Sequence, residues 1–188
     1  MIWLCIGVLL FILVHLVPCL AQGFRDSLIQ RVGDQPYRGI FSVFQLVAIV
    51  LIVVGWRSAT PDFVYMPPSW GAPLTGVLML ISVMLFGAAQ QPTRIKRYVR
   101  HPQLTGMAVW SVSHLLSNGD SRSLVLFGGL GLWALLEMIL ISNREGAWVK
   151  PYGPALSVEV RGIVISAVVF FVLVYLHPYF AGVSPIPG

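Results

Sequence analysis

Ile2-Trp3-Leu4-Cys5-Ile6-Gly7-Val8-Leu9-Leu10-Phe11-Ile12-Leu13-Val14-His15-Leu16-Val17-Pro18-Cys19-Leu20 contains no Asp, Glu, Lys or Arg. An apolar run of this length matches the roughly 20 residues a helix needs to cross the hydrocarbon core of a bilayer. No basic residue precedes it and it is longer than a typical signal-peptide core, so it reads as a retained first span. His15, two-thirds of the way along, is the one ionisable nitrogen in the run.

Five more apolar segments follow: Gly39 to Gly55, Ala72 to Ala89, Gln103 to Ser117, Ser123 to Ser142 and Gly162 to Ala181. Lipid offers no partner for unpaired backbone groups, so each is expected to be a helix. The fold class expected is an all-α integral membrane protein, a bundle of about six transmembrane helices in one domain spanning residues 2–184. The fourth segment is short, nearer 22 Å than the ~30 Å of hydrocarbon, and carries Ser111, Ser113 and His114. It is expected to lie buried among the others. Pro18, Pro36, Pro73, Pro102 and Pro178 fall at or near the expected helix ends, where a missing N–H does least harm.

Composition agrees. The 188-residue chain is 57% hydrophobic and 10% charged, against about a quarter charged in soluble domains. No separate soluble domain has room. The net charge of +5 does not signal nucleic acid, because the basic residues sit in short connectors without interleaved aromatics. Arg25, Arg31 and Arg38 follow the first segment; Arg94, Lys96, Arg97 and Arg100 the third; Arg144, Lys150 and Arg161 the fifth. Only Arg57 and Arg122 lie elsewhere. By the positive-inside rule both termini are expected on the outer, periplasmic side of a cytoplasmic (inner) membrane.

Cys5 and Cys19 lie about 21 Å apart along one helix and cannot pair within it. No Cys-x-x-Cys-His is present, so a haem would be held without thioether attachment.

Chemistry centres on the histidines. The segment Arg100-His101-Pro102-Gln103-Leu104-Thr105-Gly106 leads into Trp110, His114 and Asn118-Gly119-Asp120. His101 and His114 are roughly 20 Å apart on one helix and cannot hold one iron. A two-histidine site needs another span. His15 lies about 10 Å from the inner end of its span and His114 about 18 Å from the start of its own, a moderate mismatch. His177, about 22 Å beyond Gly162, is better matched to His114 by arithmetic. Depth alone leaves both pairings open. Facing helices commonly hold haem iron between imidazoles, and Gly106, Trp110 and His114 share a helix face on which the glycine would admit a flat ring. The plainer use of His15 and His114 is a hydrogen bond to a neighbouring helix. For His101 and His177, each before a proline, it is capping or water binding.

Arg94, Lys96, Arg97 and Arg100 mark a solvated inner rim. Their functional use would be to pair with haem propionates or an anionic lipid, with Arg97 and Arg100 as candidates. Glu137 is the one acidic residue well inside a segment and is expected to face the interior, with a basic side chain or a ligand histidine as partner. Gly128-Gly129-x-Gly131 suits close helix packing and lacks the preceding strand of a dinucleotide site.

At these residues the chain resembles the NnrU family, whose domain is shared with the plant and cyanobacterial 15-cis-zeta-carotene isomerase. The resemblance runs through His15, Arg25-Asp26, Tyr37-Arg38, Arg100-His101-Pro102 with Gly106, Trp110-x-x-x-His114-Leu115, Asn118-Gly119 and His177-Pro178. It implies a multi-pass protein with b-type haem, ligated by His15 and His114. Where the isomerase has a cysteine three residues before the second ligand, this chain has Ser111, so a cysteine ligand exchange is not expected. The NnrU branch is linked by genetic context to denitrification and nitric oxide.

The leading expectation is therefore a haem b membrane protein acting on a lipophilic polyene by cis-trans isomerisation, or in nitric-oxide-linked chemistry on a small gaseous ligand. Membrane lipid is the expected environment and nucleic acid is not a partner. Two alternatives belong to other classes. One is a membrane methyltransferase like the isoprenylcysteine enzymes, with Arg100-His101-Pro102 and Gly106 lining a cofactor cavity and Asn143-Arg144-Glu145 with Tyr152-Gly153 as a partial second motif. The other is a non-catalytic assembly factor for a respiratory enzyme.

Overall fold

A computed structural model describes residues 1–185. Seven helices are described: α1 (Ile2–Leu20), α2 (Gln22–Val32), α3 (Asp34–Ser58), α4 (Gly71–Gln90), α5 (Pro102–Leu115), α6 (Ser121–Glu145) and α7 (Leu156–Ala181). A 3₁₀ turn, Arg94–Arg97, joins α4 to α5. No named strand occurs among the described residues, only an isolated bridge between Phe63 and Asp120.

Five helices, α1, α3, α4, α6 and α7, are long and apolar enough to cross a membrane. The expected fourth span is instead the 14-residue α5, roughly 21 Å long. It is short because Pro102 opens it and the Leu116 to Asp120 turn closes it. Its buried residues, Gly106, Ser111 and Ser113, are small or polar, so it is held by neighbours rather than by lipid.

The helices pack as a folded row. α3 lies along α1, α1 and α5 both pack on α6, α5 packs on α4, and α4 carries α7. Small residues set the close approaches. A Cβ built on Gly7 would lie 2.7 Å from Ile52 N, and one on Gly55 would overlap the Leu4 backbone. These glycines let α1 and α3 touch backbone to backbone. On α6, Gly129 and Gly131 make room for the side chains of Val8 and Ser111.

Gly106 departs from expectation. Its open side is filled by α4, with Ser82 O, Leu85 and Phe86 around it, and the buried Ser82 hydroxyl donates to Gly106 O at 2.8 Å. No room for a flat ring remains there, nor for the cofactor cavity that the methyltransferase reading requires at Gly106.

The two ends of the row differ. At the basic end lie α2, the 3₁₀ turn and the α6–α7 connector. Gly33, at φ +90°, makes the sharp joint between α2 and α3 that a side chain would strain. At the opposite end the segment from Ala59 to Trp70 is strapped over the α5–α6 turn. Val64 and Tyr65 N–H both donate to Gly119 O, and the Tyr65 hydroxyl reaches Leu115 O and Asn118 O. Asp120 caps α6, its carboxylate accepting from the N–H of Arg122 and Ser123 and from the Ser123 hydroxyl.

Candidate functional site

His15 sits where α1, α3 and α6 meet. Its ring lies 4.2 Å from Phe11, 4.8 Å from Trp133 and 5.6 Å from Phe41, centroid to centroid. Its Nδ1 is 2.9 Å from Phe11 O, one turn back on its own helix, and 2.9 Å from the Gln45 side-chain amide. The Gln45 atom that faces Nδ1 is the amide nitrogen Nε2, which can only donate to it; with Nδ1–H on Phe11 O instead, the amide is turned over so that Gln45 Oε1, otherwise buried without a partner, faces that proton. His15 Nε2 then carries the free lone pair.

His114 repeats the arrangement on α5. Its Nδ1 is 2.9 Å from Trp110 O, again one turn back. Its ring stacks on Phe127 at 4.3 Å and 21°, with Trp110 at 4.8 Å. Phe127 belongs to a π-helical turn, Leu124–Gly128, the kind of irregularity that re-aims side chains at sites. The aromatic cluster continues to Trp56, 5.9 Å from Phe127, and Arg122 covers Trp56 at 4.6 Å.

The other two histidines are held differently. His101 Nε2 is 2.8 Å from the Ser142 hydroxyl, which pins the start of α5 to the end of α6. Burial, and then the Arg100 charge, push the His101 pKa down, with Glu145 opposing. His177 is 2.8 Å through Nδ1 from Val183 O, at an exposed helix end, and within electrostatic reach of His114.

The structure does not bring His15 and His114 together. No ring contact or hydrogen bond joins them among the described residues. Their neighbours on α6, Trp133 and Phe127, are six residues apart, so the two imidazoles differ in height by roughly 9 Å. Singly, each has the donor arrangement of an iron ligand, with Nδ1–H on a carbonyl and Nε2 free. To share one iron the two imidazoles would have to close this offset. No group of three or more His, Cys, Asp or Glu suited to a metal occurs among the described residues.

Arg100 pairs with Glu145 at 3.6 Å, and Arg97 is exposed on the 3₁₀ turn. Both lie at the basic end. Glu137, 6% exposed, finds partners the sequence did not name: Trp133 Nε1–H donates to it at 3.1 Å and the Cys19 thiol at 3.4 Å. Gln45, Phe127 and the Cys19–Glu137 contact went unread in the sequence. For Gln45 alone the sequence carries a signal: Tyr37, Phe41 and Gln45 lie one turn apart on one helix face.

A family model described as NnrU protein matches residues 3–185. The chain belongs to the NnrU family. Comparisons with curated proteins and with solved structures returned no match. Family membership and several apolar helices make this a multi-pass membrane protein of NnrU type.

Proposed function

We propose that this NnrU-family protein binds haem b in a cytoplasmic membrane, with His114 and His15 as the residues that would hold the iron. The observation that carries the reading is shared by these two histidines: each lies inside a helix with Nδ1 2.9 Å from the carbonyl one turn back, and in the tautomer that donates to that carbonyl Nε2 is free. His101 instead engages Nε2 itself. Phe11, Phe41 and Trp133 around one imidazole, and Trp110 and Phe127 around the other, wall off water. Haem iron at these residues would supply a one-electron centre for isomerising a lipophilic polyene or for binding a small gas such as nitric oxide.

The height difference favours weighing a second ligand choice. His177, about 22 Å beyond Gly162, matches the depth of His114 by arithmetic and is the alternative residue for the same iron. Under either choice α5 completes a sixth crossing among its neighbours, and the basic end faces the cytoplasm, so that both termini lie outside.

Visible spectra of the purified protein, oxidised and dithionite-reduced after expression with supplied haem, test this. A Soret band that is lost or shifted in His114→Ala and His15→Ala but retained in His101→Ala is the expected result. Sensitivity to His177→Ala in place of His15→Ala moves the second ligand to α7. A haem-free wild-type protein refutes the proposal.

A further inference from the structure

A pocket of about 340 Å³ opens at the basic end, lined by Pro18, Gln22, Arg25, Asp26 and Arg144. That volume is in the range of small-ligand sites, yet the lining is mostly polar. It brings two guanidiniums and one carboxylate together, for a net charge of +1 at the wall. Both arginines are held from one side. Arg144 donates to Pro18 O at 3.3 Å and lies 3.5 Å from Glu145, while Arg25 pairs with Asp26 at 3.0 Å and sits over the Tyr37 ring at 5.7 Å. A guanidinium has five N–H donors, so each keeps some for a ligand.

Position narrows the ligand. Pro18 and Arg144 stand in the last turns of α1 and α6, where two apolar crossings end, which is headgroup level in a bilayer. Gln22 opens α2, whose first turn has no side-chain cap; its positive end is offset by the negative ends of α1 and α6, so the attraction for an anion rests on the two guanidiniums. Beside the pocket Leu20 and Phe24 are 62% and 64% exposed, giving an apolar wall for an acyl chain.

We infer that the Arg25–Arg144 pocket binds the phosphate of an anionic phospholipid headgroup, one lipid per chain. Two guanidiniums favour a net-anionic headgroup over phosphocholine, whose quaternary ammonium they repel. The inference is independent of any haem, since it uses none of the four histidines.

The test is native mass spectrometry of the full-length protein released from nanodiscs of mixed phosphatidylglycerol and phosphatidylcholine. Wild type should retain one phosphatidylglycerol. The double variant Arg25→Gln/Arg144→Gln should retain it about tenfold less, the loss expected for a charge-assisted contact. Arg31→Gln/Arg161→Gln, which removes equal charge from the same end, should retain it like wild type. Arg25→Gln alone, at a half-exposed side chain, reports the same loss in part should the double variant lose its helical circular dichroism. Equal retention in all variants, or equal retention of phosphatidylcholine, overturns the inference. Binding of inorganic phosphate without phosphatidylglycerol retention assigns the pocket to a soluble anion and overturns the lipid assignment.

Discussion

Replacing Gly55 by Ala should destabilise the protein, while the same change at Gly39, on the same helix, should not. A Cβ at Gly55 would overlap the Leu4 nitrogen and come to 2.5 Å from the Leu4 Cα. Those atoms are backbone and cannot swing aside, so α1 and α3 must part. Overpacking of this kind costs ~1–3 kcal/mol, against which Ala in a helix recovers ~0.5–1 kcal/mol relative to Gly. The net loss is therefore about 1–2 kcal/mol. At Gly39 nothing lies within 4 Å of the added carbon, so only the gain of ~0.5–1 kcal/mol remains. The two variants should differ by the overpacking cost, roughly 1–3 kcal/mol, since the helix gain is common to both. Reversible unfolding in mixed detergent and sodium dodecyl sulfate, followed by far-ultraviolet circular dichroism, measures this. If both variants shift alike, or Gly55→Ala is the more stable, α1 and α3 are not in backbone contact and the packing of the row is wrong.

Other changes test the opposite end. Asp120→Ala removes the α6 cap and should cost about 1 kcal/mol. Burial alone would raise the Asp120 pKa, but hydrogen bonds from Ser123, the Arg122 charge and the Arg122 N–H outweigh it and hold it below the usual carboxylate value. This stabilisation is present above the unfolded carboxylate pKa and is lost as pH falls through the depressed folded value. Wild type should therefore lose more stability than Asp120→Asn on acidification across that window, and parallel acid titrations of the two would contradict the cap. Tyr65→Phe removes the hydroxyl proton offered to Leu115 O and Asn118 O and should cost ~1 kcal/mol. Limited proteolysis between Ala59 and Trp70 should quicken, and an unchanged cleavage rate would mean that the strap is held elsewhere.

Long apolar runs were legible because their signal is compositional. The first span has the same limits in sequence and structure, and the third differs by one residue at each end. Boundaries failed where a helix continues past the lipid with polar residues. α3 begins at Asp34 rather than Gly39 because Pro36 suits a first turn and Arg38 pairs with Asp34 at 2.8 Å, one turn apart. α7 likewise begins at Leu156. α2 was read as a connector since its 11 residues mix Phe24, Leu28 and Val32 with Arg25, Asp26 and Arg31, a pattern for lying on a membrane rather than crossing it.

The candidate site was less legible because it depends on rotation about helix axes, which residue counting does not supply. Counting gave depths for His15 and His114 but not the neighbours that enclose them. It also placed Gly106 on a face with Trp110 and His114, although α4 fills Gly106 while Phe127 meets His114. The partners of Glu137 lie over a hundred residues away on α1 as well as one turn away on α6, and sequence spacing gives no hint of the first.

α6 is the element that relates the two histidines. It presents Phe127 to His114 and Trp133 to His15, and the π-helical turn from Leu124 to Gly128 lies between its Asp120 cap and Trp133. A π turn holds one residue more than the α-helical turn it replaces, so it offsets the side chains on its two sides by about 100° relative to an unbroken helix. Without it, a cap fixed at Asp120 and a Trp133 fixed against His15 could not both be kept while Phe127 still faced α5. Gly129, which follows the π-helical turn, leaves the space into which the Val8 side chain fits. The glycine run that sequence assigned to packing thus also lies where α6 changes register, between the ring beside one candidate ligand and the ring beside the other.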